Sequence, residues 1–274
     1  GAFGSTLAFT SDGYTLDNGT SDNLYVNAGG ETYVGWAWKA NGSGSSNEDG
    51  SINTTATSAN TTAGFSISTF TGNQTSGATF GHGLGVAPKM VIVKERSPAG
   101  NNWMVGHDAM GWGKYLALDA AQAAITSSQR WNDTAPNSTV VTLGNDTGIN
   151  QNTATYVAYC FAEVEGFSKI GSFEGNSSAD GTFVYTGFKP AFILTKNMDT
   201  ADQWGIRDAG RNPFNVTDKL LNPNSHTAET TSSTGYIDIL SNGFKARSSD
   251  SLINSNTIIY YAVAESPFKT ATAR

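Results

Sequence analysis

The chain has one cysteine, Cys160, in 274 residues. No internal disulfide can form, so nothing in folding calls for an oxidising compartment. Charge is scarce as well: 14% of residues are charged, with 16 Lys+Arg against 23 Asp+Glu and a net charge of -7. The longest basic feature, Lys94-Glu95-Arg96, carries an acid in its middle. No basic face is left to neutralise phosphates, which excludes nucleic acid as a partner. No run of about 18 apolar residues occurs, so no membrane-spanning helix is expected. Gly1-Ala2-Phe3-Gly4-Ser5 lacks the charged and apolar regions of a signal peptide. With no initiating Met, the expectation is a processed or truncated product, or a renumbered fragment.

What the chain does contain is 38% hydrophobic residues, 11% aromatics and 31 glycines. That is enough apolar material to bury a core, under a surface made polar by neutral Asn, Thr and Ser. The strongest pattern is internal repetition. Gly64 and Gly166, Pro88 and Pro190, Lys94 and Lys196, and Thr155 and Thr257 are each 102 residues apart, while Trp103 and Trp204 are 101 apart. A partial copy lies upstream. Thr32-Tyr33-Val34-Gly35-Trp36-Ala37-Trp38 reads like Thr155 to Phe161, and the stretch from Ser11 to Leu16 resembles that around Leu240 to Lys245. Residues 41–63, rich in Gly, Ser, Asn and Thr, read as a linker or a weak edge segment. The expected organisation is residues 1–63 as a partial repeat plus linker, with full repeats over 64–165 and 166–274.

Short β-branched and aromatic runs bounded by Gly, Asn and Asp predict strands at Phe65–Thr71, Lys89–Lys94, Ser138–Leu143, Tyr156–Val164, Phe183–Thr186, Ala191–Thr195, Tyr236–Leu240 and Thr257–Ala264. In the fourth run, Ala158, Cys160 and Ala162 face one way and the larger Val157, Tyr159 and Phe161 the other. Cys160 therefore reads as a small buried hydrophobe rather than a reactive thiol. The alanines of Asp119–Ser128 suit a short helix, though a loop reads equally well because the sister region contains Pro223 and Asn224. The fold class is all-β: tandem antiparallel sandwiches of roughly 100 residues, two complete and one partial.

Chemistry is thinly signalled. His82, His107 and His226 have no zinc-site spacing, and His107 is replaced by Asp208 in the sister repeat, which suggests a turn-capping slot. Glu163 and Glu265 share a strand-end slot, so each reads as a carboxylate that accepts backbone or Lys/Arg hydrogen bonds. Two catalytic acids would need to lie about 5 Å or about 6.5–9.5 Å apart. Asn145-Asp146 and Ser248-Ser249-Asp250 offer calcium-type oxygens without the EF-hand pattern. No nucleophile elbow, P-loop or dinucleotide turn is present, and no catalytic residue, metal or cofactor is expected. The one candidate ligand site is Trp112 and Trp131 with Asn132 and Asp133. A loop indole beside amides can stack on a sugar ring while the amides bind its hydroxyls.

The strings Thr32 to Ala40, Gly81-His82-Gly83-Leu84-Gly85-Val86-Ala87-Pro88-Lys89-Met90, Tyr156 to Gly166 and Tyr185-Thr186-Gly187-Phe188-Lys189-Pro190-Ala191-Phe192 resemble a repeat found near the C-terminal ends of phage tail-fibre and other virion proteins, common in marine and cyanobacterial phages. The resemblance covers about Ser11 to Arg274. It implies a non-enzymatic virion surface protein, assembled in the host cytoplasm and acting outside the cell. A tail-fibre, receptor-binding role is the leading expectation, with a host surface glycan and other virion proteins as partners. A head or tail decoration that binds only virion proteins is the alternative, and a polysaccharide depolymerase is a third. Fibres of this kind are commonly trimers, so a homotrimer is implied but not fixed by these residues.

Overall fold

The structure is a computed structural model that describes residues 5–10, 13–17, 26–98 and 100–267. It divides into two compact units, residues 1–38 and 39–274. In the first, β1 (Ser5–Phe9) and β2 (Tyr14–Asp17) form an antiparallel hairpin. Thr32–Trp38, which reads like Thr155 to Phe161, has no regular structure. The same pattern at Thr155 becomes a strand because two neighbours flank it there. In the first unit the chain packs over Tyr14 instead. A Cβ at Gly35 would collide with Tyr14 Oη.

In the second unit, the first half runs β3 (Ala56–Asn60), β4 (Phe65–Thr71), β5 (Ala78–Gly81), β6 (Met90–Ser97), β7 (Met104–His107), β8 (Lys114–Ala117), β9 (Ile125–Thr126), α1 (Ser128–Trp131), β10 (Val140–Leu143), α2 (Thr147–Asn150) and β11 (Thr155–Phe161). The second half runs β12 (Ser168–Glu174), β13 (Phe183–Tyr185), β14 (Pro190–Asn197), β15 (Gly205–Asp208), β16 (Lys219–Leu220), β17 (Thr230–Thr231), β18 (Ile237–Leu240), β19 (Gly243–Ala246), α3 (Ser251–Asn254) and β20 (Thr257–Ala264). Among the described residues, the pairings are antiparallel apart from a parallel bridge, Ile52 to Phe80.

One sheet has the order β3-β4-β11-β6-β7-β8-β9, and the order β4-β11-β6-β7 returns as β12-β20-β14-β15. Facing these are the smaller sheets β10-β5 and β13-β19-β18. The protein is thus an all-β fold of layered antiparallel sheets. The core of the first half explains the alternation in β11. Tyr156, Ala158 and Cys160 turn inward against Phe70, Phe80, Val141 and Leu143. Phe80 and Tyr156 stack on Phe70 with ring centroids 4.8 and 5.3 Å away. From the opposite face, Phe161 reaches Tyr261 of the second half at 5.2 Å.

Two open readings are decided. Residues 41–63 are no tether. Ile52 is buried in the core, its N–H donates to Thr79 C=O at 2.8 Å, and β3 pairs with β4. Of the two readings of this segment, the edge strand is the one formed. Of the two readings of Asp119–Ser128, the loop is the one formed over most of its length. Helix begins only at Ser128, and Ala124 N–H is drawn across to Met198 C=O of the second half. Alanine's helix preference is a few tenths of a kcal/mol per residue, and tertiary contacts override it.

Candidate functional site

Trp112 and Trp131, expected as a sugar platform, are core residues: Trp131 is 0% exposed and Trp112 6%. Their rings meet edge to face, 5.6 Å apart at 88°. Both pack over Gly106, where an added Cβ would sit 2.5 Å from Trp112 Cζ3 and 2.8 Å from Trp131 Cε2. A ring with no exposed face cannot stack on a sugar, so the platform expectation is corrected. Asn132 and Asp133 stay at the surface but serve the turn after α1. They adopt left-handed φ values of 52° and 50°, Asn132 N–H donates to Ser128 C=O, and Asn132 Oδ1 accepts from Ser76 Oγ at 2.8 Å.

The second half fills the same place differently. Val91 pairs with Gly106 on β7, and Ile193 pairs with Arg207 on β15. Arg207 therefore occupies the Gly106 position, and its guanidinium stands where the first half has two indoles. It is fully buried, donating to Gly235 C=O and to Thr195 Oγ1. Burial, with Asp250 and Arg211 as lesser influences, brings its pKa down to about 10.

His107 sits between the two halves. Its Nδ1 accepts Ala109 N–H at 3.2 Å at the start of a single 3-10 turn, and Nε2 lies 3.4 Å from Tyr260 C=O. Asp208 does the same work in the sister turn, accepting Arg211 N–H at 2.8 Å. Burial lowers the pKa of His107 to about 4, against the hydrogen bond to Tyr260. His82 Nδ1 likewise accepts Leu84 N–H, and Thr186 Oγ1 accepts Phe188 N–H in the corresponding turn. Its pKa too is lowered by burial.

Glu163 holds Lys89 at 2.7 Å and accepts Ile170 N–H at 2.9 Å, and Glu265 holds Lys189 at 2.9 Å. Burial works against ionisation of Glu163, but these donors and the Lys169 charge outweigh it and keep its carboxyl below the usual range. Asp146 and Asp250, considered as calcium oxygens, cap α2 and α3 by accepting Gly148 N–H at 2.6 Å and Leu252 N–H at 2.9 Å. Cys160 is fully buried, and burial pushes its thiol up to about 12. Of the repeat-equivalent tryptophans, Trp204 is buried and donates Nε1–H to Ala117 C=O at 2.8 Å, whereas Trp103 is half-buried against Tyr159.

Two buried amides went unnoticed in the sequence. Asn150 accepts Asn73 N–H and donates to Thr75 and Gly144 C=O. Asn254 accepts Asn176 N–H and donates to Ser178 and Ser248 C=O. The signal was present: Asp146-Thr147-Gly148-Ile149-Asn150 recurs as Asp250-Ser251-Leu252-Ile253-Asn254. Each amide ties together three stretches of backbone, so these motifs hold loops to strands.

Among the described residues, no group of three His, Cys, Asp or Glu side chains could hold a metal, and no helix is long and apolar enough to cross a membrane. A depression of about 340 Å³ is lined by Asn60, Thr62, Ala63, Val164, Phe167 and Pro267, with Glu165 its single acid. The large exposed side chains of the second half include Phe183, Tyr185 and Phe214. Phe183 and Tyr185 lie two residues apart on β13, so their rings share a face.

Sheets and site together define an all-β protein of layered antiparallel sheets, in which the buried ionisable groups cap turns and bridge strands. Residues 2–267 match the family described as a domain of unknown function, DUF7483, and the chain belongs to that family. No curated protein and no solved structure matches it.

Proposed function

We propose that the chain is a non-enzymatic structural module of a bacteriophage virion surface protein, a β spacer in a tail fibre or a decoration that contacts other virion proteins. The observation that carries this reading is the fate of the side chains able to do chemistry or bind a sugar. Trp112, Trp131, His107 and Cys160 are all buried in the fold, and Glu163 is engaged by Lys89 and Ile170. The resemblance of the strings around Gly81–Met90 and Tyr156–Gly166 to virion repeats supports the setting.

A receptor-contacting fibre tip is the second reading. Exposed Phe183 and Tyr185 favour it, because aromatic faces on a sheet can stack on a glycan or pack on a protein. Two measurements on the same phage test both readings. Antibodies against the chain should decorate intact particles. Purified chain added to host cells before infection should leave adsorption unchanged for a spacer and reduce it for a receptor binder. Particles that stay unlabelled would refute the virion assignment.

A further inference from the structure

The two halves of the second unit finish their smaller sheets differently. In the first half the outer edge of β5 is covered by the chain's own residues. Ile52 bridges Phe80 in parallel, its N–H donates to Thr79 C=O at 2.8 Å, and Thr79 N–H donates to Ser51 Oγ at 2.9 Å. Asn47 lies against Gly81, where a Cβ would collide with its amide.

The matching strand of the second half is β13. Phe80 pairs with Val141, and Val184 pairs with Phe244. In the turns that follow, Gly83 and Gly187 have left-handed φ values of 69° and 86°, and Leu84 and Phe188 are both buried. Thr79 and Gly81 thus correspond to Phe183 and Tyr185.

On β13, Thr182 C=O accepts Ala246 N–H and Thr186 N–H donates to Asn242 C=O, both on the β19 side. Backbone groups alternate along a strand, so those of Phe183 and Tyr185 point to the outer edge. Among the described residues, no hydrogen bond reaches them there. The two residues are 44% and 64% exposed. The other outer edge of this half, β12, is engaged by its own chain at its start, where Ile170 N–H donates to Glu163 Oε1 and Ser168 N–H donates to Val164 C=O. Open backbone groups flanked by two large aromatics therefore stand where the first half has a Thr and a Gly beneath a covering segment.

We propose that the outer edge of β13 docks an extended segment of another polypeptide, which adds as a strand and carries the hydroxyl-then-β-branched chemistry of Ser51-Ile52. Main-chain bonds to Phe183 hold the segment, and the Phe183 and Tyr185 rings pack on its side chains. The site is independent of the virion reading, since it rests on the comparison of the two halves alone.

The test uses the full chain and a synthetic peptide with the sequence of residues 45–60, which contains the Asn47–Ile52 stretch that covers β5. Amide hydrogen exchange at Phe183 and Tyr185 should be fast in the free chain and slow at least about tenfold at millimolar peptide. Tyr185→Lys alters an exposed ring, so the fold persists, and a lysine on an edge discourages strand addition. Phe183→Pro removes an outward N–H, which an edge strand tolerates. Both variants should lose the protection at the remaining β13 amides. Unchanged exchange with peptide, protection confined to β5, slow exchange before peptide is added, or wild-type protection in Tyr185→Lys would each overturn the proposal.

Discussion

Acidification should weaken this protein through its buried imidazoles, His107 above all. His107 is 1% exposed at the contact between the two halves of the second unit, and its pKa is lowered to about 4 from 6.5. Burial dominates, and Asp108, Glu163 and the Tyr260 carbonyl only partly oppose it. Between pH 6.5 and 4 the unfolded chain binds a proton that the folded chain refuses. Stability is therefore full above pH 6.5 and falls as the pH drops toward 4, by about 3 kcal/mol in total at 1.36 kcal/mol per pKa unit. The perturbation is His107→Asn, whose side-chain oxygen can still accept Ala109 N–H. Urea unfolding of both proteins, followed by tryptophan fluorescence from pH 8 to 4, reads the effect. His82 also has a lowered pKa, but it is present in both proteins, so the difference isolates His107. The substitution should cost stability at pH 8, and the gap between the two proteins should close as the pH falls. Parallel pH profiles would show that His107 takes up its proton freely in the folded state, and would refute the buried, neutral imidazole between the halves.

Three further outcomes are expected. Gly106→Ala should destabilise by about 1–3 kcal/mol, because its Cβ meets both indoles; a red-shifted tryptophan emission with a lower urea midpoint would show it. Asn254→Ala leaves the Asn176 N–H and the Ser178 and Ser248 carbonyls without their partner. At about 1–3 kcal/mol for an orphaned buried group, here the Ser248 carbonyl, it should lower the melting temperature more than Asn212→Ala, because Asn254 is fully buried and Asn212 half-buried, and equal losses would contradict the tying role. Cys160, buried on the inner face of β11, should resist thiol reagents in native buffer and react in urea. Rapid native labelling would displace β11 from the centre of its sheet.

Strand positions were legible in the sequence because side chains alternate along a strand that is buried on one face. Thr257–Ala264 formed over the range expected, and Ala158 and Cys160 lie on the buried side as their size suggested. The capping exchange of His107 for Asp208 was legible too, because repeated segments place equivalent residues in equivalent turns. The tryptophans were misread for a physical reason. Trp112 and Trp131 stand among Gly, Asn and Asp, which mark a loop, but local sequence does not reveal that Gly106, on another strand, opens a space for both rings. The covering of β5 by residues 47–52 was equally hidden, since an apolar-poor segment with a single Ile52 reads as either a linker or a weak edge until its bridge to Phe80 is seen.

By itself the sequence determined the strand content, the 102-residue spacing of the recurring segments and the absence of any disulfide, because these follow from residue type and order. Tertiary structure alone decided which side chains are exposed and which edges stay open, because both depend on what distant segments pack against them. It turned an expected binding pair into core, and it placed the bare aromatic edge at Phe183 and Tyr185, over which no covering segment lies among the described residues.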